Sequence, residues 1–215
     1  MIISRARKFV FVHIPKTGGT SFAHAYDARA AKDDILIGDT PKARNRRHRL
    51  AELDVPGRLW KHSRIADVGP LIAPEGMCIM VLVRNPWARM VSYYHWLRRQ
   101  SFDHPAVRLA ATLDFSAFLH HPHTVASLRA NPYASYVTNP QGQLLAAHFV
   151  RLEHYDRDMA PVAAHLGFAL PLPRLNTATH PVDWRTSYTP ADADLIADLC
   201  AADITRSRYR FDDAA

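Results

Sequence analysis

Hydrophobic residues in this chain fall in short, separated blocks whose internal periods differ. KFVFVHI (8–14) is dense in β-branched and aromatic side chains and reads as a buried strand. MCIMVLV (77–83) is apolar at every position, the longest such run in the sequence. A strand without alternation is covered on both faces, which predicts a parallel sheet between helices. AAHFVRLE (146–153) reads as another strand, and RLWKH (58–62) as a short one. Helical spacing takes over in SFAHAYDARAA (21–31) and in NPWARMVSYYHWLRRQ (85–100), where Asn85 is a natural cap and Pro86 sits where its missing N–H costs nothing. DFSAFLHH (114–121) and DRDMAPVAAHLGF (156–168), closed by Gly167, read as two more helices. From Thr189 a single long amphipathic helix is expected, with Leu195, Ile196, Leu199 and Ile204 inward. Alternating strands and helices predict a three-layer α/β fold in a single domain over 1–215, with 101–145 its least regular part.

Composition changes this picture little. Hydrophobic residues make up 48% and charged residues 22%, as in ordinary soluble domains. No apolar run approaches the roughly 20 residues of a membrane span. RARKFVFVHIPK near the start carries no secretory apolar core, so a cytoplasmic protein without a membrane span is expected. Cys78 and Cys200 do not form a disulfide framework, and Cys78 reads as a buried thiol. The net charge of +7 favours an anionic ligand. Most cations are arginines, so Lys16 stands out.

Two stretches carry candidate chemistry. In FVHIPKTGGTSF (11–22) a strand runs into Lys16, Thr17, Gly18, Gly19, Thr20 and Ser21 and then into a helix. The nucleotide P-loop has its lysine after the glycines, whereas here it comes first. The glycines let a ligand approach the backbone, the helix start offers N–H donors, and the lysine and hydroxyls add charge and donors, so the stretch forms an anion site. In VLVRNPWARMVSYYH (81–95), Arg84 ends a buried strand, and Ser92 lies two helical turns beyond Asn85, about 10 Å along the same face. A guanidinium fork at a strand end suits a phosphate.

HIPKTGGTS resembles the 5′-phosphosulfate loop of sulfotransferases, and VRNPWARMVSYY resembles their 3′-phosphate motif. The match is closest to the Golgi-type carbohydrate and uronyl 2-O-sulfotransferases and their bacterial relatives. The resemblance implies a P-loop-NTPase-like fold and the donor 3′-phosphoadenosine 5′-phosphosulfate (PAPS), with the bisphosphate PAP as product. It places Lys16–Ser21 on the phosphosulfate and Arg84 and Ser92 on the 3′-phosphate, without a metal ion. It makes Lys16 a catalytic residue at the leaving phosphate and His62, in LWKHSRIADV, the base for the acceptor hydroxyl. It also brings Arg185 and Tyr188 toward the nucleotide. His13 reads as a packed core histidine, His95 as a helix-surface residue, and HHPH (120–123) as a surface loop. The basic run 42–49 reads as a solvated loop or as a contact for an anionic glycan acceptor, and 101–145 as an acceptor-side insertion. A kinase on the same fold, an inactive nucleotide-binding relative and a nucleic-acid binder compete with this reading. No Walker lysine, zinc module or RNA-recognition signature supports the first or the last. The acceptor and the oligomeric state are not encoded in any motif.

Overall fold

Ser4 and Phe9 are separated by only four residues, too few for a crossover, so the first two strands must form a hairpin. The computed structural model, which describes residues 1–72, 76–173 and 183–213, has this hairpin at the centre of its sheet. In chain order the elements are β1 (Ile2–Ser4), β2 (Phe9–Val12), α1 (Gly19–Arg29), β3 (Ile35–Leu36), α2 (Pro41–Asn45), α3 (Ile65–Val68), β4 (Cys78–Val83) and α4 (Pro86–Leu97). Then come α5 (Pro105–Thr112), α6 (Phe115–His120), α7 (Pro122–Ala130), β5 (Ala147–Arg151), α8 (Tyr155–Leu166), α9 (Pro190–Leu199) and α10 (Ala201–Ser207). The chain divides into two compact units, one of Met1–Val83 with Tyr133–Asn176 and one of Arg84–Pro132 with Thr177–Ala215.

The first unit holds the five-stranded sheet, ordered β3-β1-β2-β4-β5. β2, β4 and β5 run parallel, with Val10 opposite Ile79 and Val81 opposite Phe149. β1 is antiparallel to both β2 and β3, so the sheet is mixed rather than wholly parallel. On one face Phe9 and Phe11 pack against Phe22 and Tyr26 of α1, with the Phe11 and Phe22 rings 4.3 Å apart. Met80, Leu82 and Val150 continue that core against Met159 and Val162 of α8. On the other face Val10, Val12, Ile79, Val81 and Val83 are buried as well. Burial on both faces is why these strands read as unbroken apolar runs.

RLWKH is not a strand. Residues 60–62 form a bend and turn closed by Ser63, whose fully buried hydroxyl accepts from Trp60 N at 2.9 Å and reaches Arg58 O at 2.7 Å. A small hydroxyl residue that satisfies its own backbone competes with strand pairing.

The second unit is helical. Asn85 caps α4 by accepting from Trp87 N at 3.1 Å, and its amide donates to Arg210 O at 3.0 Å. The Trp87 indole donates to Ala193 O at 2.9 Å, and Phe211 packs edge-to-face against Trp87, Trp184 and Tyr188. Thr189 and Asp192 form the capping box of α9, and Asp192 also accepts from Ser116 at 2.7 Å. The expected single C-terminal helix is two, broken at Cys200, whose φ/ψ of −110/17 leaves the helical region. The stretch 101–145 includes α5 and α7 beside the expected α6. Prolines at the first turns of α5 and α7 punctuate them into short helices.

Candidate functional site

The loop after β2 is built by three backbone demands. Lys16 has φ +66, a left-handed conformation that costs a non-glycine residue about 1 kcal/mol. Gly18 follows at φ +87, and a Cβ there would meet Leu152 Cδ1 at 2.8 Å. Gly19 needs no unusual φ, but a Cβ on it would lie 2.1 Å from His13 Cδ2 and 2.4 Å from His13 Nε2. The two glycines therefore serve different ends: the first permits the turn and the second admits a ring. Thr17, fully buried, donates its hydroxyl to Ile14 O at 2.9 Å and so shapes the turn itself. Strain at a non-glycine residue beside a helix start points to function rather than stability.

α1 begins at Gly19 with no side-chain cap and no acidic residue in its first turn. By contrast α4, α5, α6, α7 and α9 are each capped by a side chain, and α8 and α10, which are uncapped, carry acidic residues in their first turns. The first-turn N–H groups and the positive end of the helix dipole suit an anion. Thr20 and Ser21 add hydroxyls in that turn, and Lys16 adds a cation. This donor set fits a phosphate or sulfate group.

His62 stands beside this loop. Its Nδ1 is 2.8 Å from the carbonyl oxygen of His13. A carbonyl only accepts, so Nδ1 carries a proton, and in the neutral ring Nε2 holds the acceptor lone pair. The His62 ring packs edge-to-face with two others, His13 at 4.5 Å and 69° and Trp60 at 5.0 Å and 84°. Lys61, next to it, pairs with Asp39 at 3.0 Å, and that hydrogen bond holds the Asp39 carboxyl below its usual range. His13 is 6% exposed, as expected for a packed histidine, and burial reinforced by His62 keeps its pKa well below 6.5. The structure adds that His13 touches both the loop and His62. The sequence signal for this is the histidine two residues before Pro15, which a core reading passes over.

Arg84 directly follows the last residue of β4, and Ser92 is a buried residue of α4. β2 and β4 are adjacent and parallel, so both strands end at one edge of the sheet. His95 is half-buried on α4. His120 ends α6 and bonds Asp192 at 2.9 Å, and His121 caps α7, so HHPH belongs to helix ends rather than a loop.

The basic run 42–49 is likewise helical in part, in α2 and the 3-10 turn Arg47–Glu52. Lys42, Arg46 and Arg49 donate to the carbonyls of Ala28, Ala31 and Lys32 at 3.4, 2.7 and 2.8 Å. These cations complement the C-terminal end of α1, whose dipole favours positive charge. Arg44, Arg47 and His48 remain exposed. Arg185 pairs with Asp183 at 2.7 Å, donates to Phe211 O and Asp213 O, and covers the Trp184 ring. Tyr188 donates to Trp87 O at 2.9 Å, with burial pushing its phenol well above the usual range. Both side chains thus tie the second unit together. Residues 180–182 of that segment lie outside the described residues.

No protein-family model matches the sequence, and no curated protein matches it. Among solved structures the chain is similar to mouse sulfotransferase SULT7A1 in complex with PAP, with a TM-score of 0.55 and 15% identity. The match covers 95% of this chain and 86% of that one. The likeness establishes the fold, a P-loop-like α/β sheet flanked by helices. Among the described residues no helix is long and apolar enough to cross a membrane.

Proposed function

We propose that this chain is a PAPS-dependent O-sulfotransferase acting on a carbohydrate or glycan-bearing acceptor. The observation that carries the reading is the lysine-first glycine loop at the uncapped start of α1, with His62 held beside it by its Nδ1–H. The fold shared with a PAP-bound sulfotransferase supports it.

In this reading Lys16, the backbone of Thr17–Ser21 and the hydroxyls of Thr20 and Ser21 hold the 5′-phosphosulfate, Thr17 shaping the turn through its bond to Ile14 O, and Arg84 and Ser92 hold the 3′-phosphate. PAPS supplies the sulfuryl group, which passes to the acceptor oxygen with the 5′-phosphate of PAP as leaving group. Lys16 and the first-turn N–H groups of α1 neutralise charge on that phosphate. His62 Nε2 takes the acceptor hydroxyl proton, and its Nδ1–H bond to His13 O stabilises the imidazolium that forms. The exposed Arg44 and Arg47 offer cations to an anionic glycan. The protein is read as cytoplasmic.

Isothermal titration calorimetry with PAP tests the donor site, beside ADP and ATP with Mg²⁺, on wild type and Arg84→Ala. Micromolar binding that needs the 3′-phosphate and weakens at least about tenfold in Arg84→Ala is expected, the loss of one charged hydrogen-bonding group. Preference for ATP with Mg²⁺ overturns the reading.

A further inference from the structure

We propose that His13 is a positioning residue. Its main-chain oxygen accepts the His62 Nδ1–H, and its ring couples the loop at the start of α1 to His62 and keeps His62 seated on that oxygen, in the form whose Nε2 accepts a proton. The inference rests on the donor loop and base assigned above, and adds a link between them.

Three contacts converge on His13. Its main-chain oxygen takes the His62 Nδ1–H at 2.8 Å. Its ring meets the His62 ring at 4.5 Å and 69°. The same ring fills the space where a Gly19 side chain would begin, 2.1 Å from the ideal Cβ position. Phe11 stacks on the same ring at 5.8 Å and 27°, closing another side. Trp60 meets His62 at 5.0 Å, so the base packs against two rings. Trp60 is 42% exposed, whereas His13 is 6% exposed, so His13 is the firmer wall. In so close-packed a setting a shift of the Gly19 backbone displaces the His13 ring, and with it His62. Burial keeps His13 neutral, so it does not repel His62 when that residue takes up a proton. A flat, neutral ring is what the position requires, and phenylalanine supplies one too.

The test is nitrogen-15 NMR of histidine-labelled protein, with His62 resonances assigned through His62→Gln, on wild type, His13→Ala and His13→Phe. In wild type His62 is expected in the Nδ1–H form, and PAP shifts its resonances. In His13→Ala the main-chain oxygen remains but the ring that seats His62 on it is gone, so His62 leaves that oxygen and relaxes toward the Nε2–H form that free histidine prefers, and the PAP-induced shift is lost. The PAP dissociation constant should change less than about threefold, because the loop donors remain. His13→Phe should restore both the tautomer and the response. A purely structural role for His13 would lower the melting temperature of His13→Ala and leave the His62 tautomer intact, which overturns the proposal. So does a PAP response that persists in His13→Ala. If wild type does not bind PAP, the donor reading fails, and the tautomer comparison still decides whether His13 positions His62.

Discussion

Replacing Gly19 with alanine puts a methyl group where the His13 ring already lies. The new Cβ would sit 2.1, 2.4 and 2.7 Å from three atoms of that ring. Retreat from 2.1 Å to the 3.4 Å of ordinary contact is a movement of about 1.3 Å. The ring has little room for it, with Phe11 stacked on one side and His62 on another. Gly19 lacks a positive φ, so alanine pays no conformational penalty and the whole effect is steric. Overpacking of a well-filled site costs about 1–3 kcal/mol, and a rigid ring places this one near 2. For a chain of this size that lowers the melting temperature by about 4–8 °C. The backbone that would hold the phosphosulfate must shift as well, so PAP affinity should fall by about tenfold or more. Differential scanning calorimetry and PAP titration on purified Gly19→Ala read both effects. Gly38→Ala is the control, since its added Cβ would meet nothing closer than Lys61 Cβ at 4.0 Å. A Gly19→Ala protein as stable as Gly38→Ala, with wild-type PAP affinity, would refute the reasoning, because it would mean the His13–Gly19 contact is not tight.

Other consequences follow from the same geometry. Lys16→Gly relieves a left-handed backbone and should raise stability by up to about 1 kcal/mol in urea titrations while weakening PAP binding; a loss of stability would show that the strain is not there. Because His13 stays neutral in the folded protein but binds a proton below about pH 6.5 when unfolded, stability should fall on acidification through that range, by up to about 1.4 kcal/mol per pH unit. Urea midpoints at pH 7.5 and pH 5 in wild type and His13→Phe isolate this contribution, and equal pH slopes would contradict it. Asn85→Ala removes a buried cap and its amide bond to Arg210 O, and should cost about 1–2 kcal/mol by chemical denaturation. A cost under about 0.5 kcal/mol would mean that cap does not hold the start of α4.

What the sequence determined by itself is local. β2, β4 and β5, the cap at Asn85, the glycine closure at Gly167 and the helix after the lysine-first loop were all legible, because each depends on period, backbone conformation or a neighbouring side chain. The loop residues and His62 were picked out by motif, and α1 and the turn at 60–62 carry them. The tertiary structure alone decided three things. RLWKH has strand-like composition, but Ser63 closes it into a turn, and an apolar pattern of a few residues cannot weigh that competing bond. The arginines of 42–49 look like a solvated run until the carbonyls at the end of α1 come within reach, an arrangement that spans residues 28 to 49. His13 reads as core from its strand, and it is buried. That its oxygen holds His62, 49 residues away, and that its ring lies against Gly19 are facts of three-dimensional packing, which no one-dimensional period encodes.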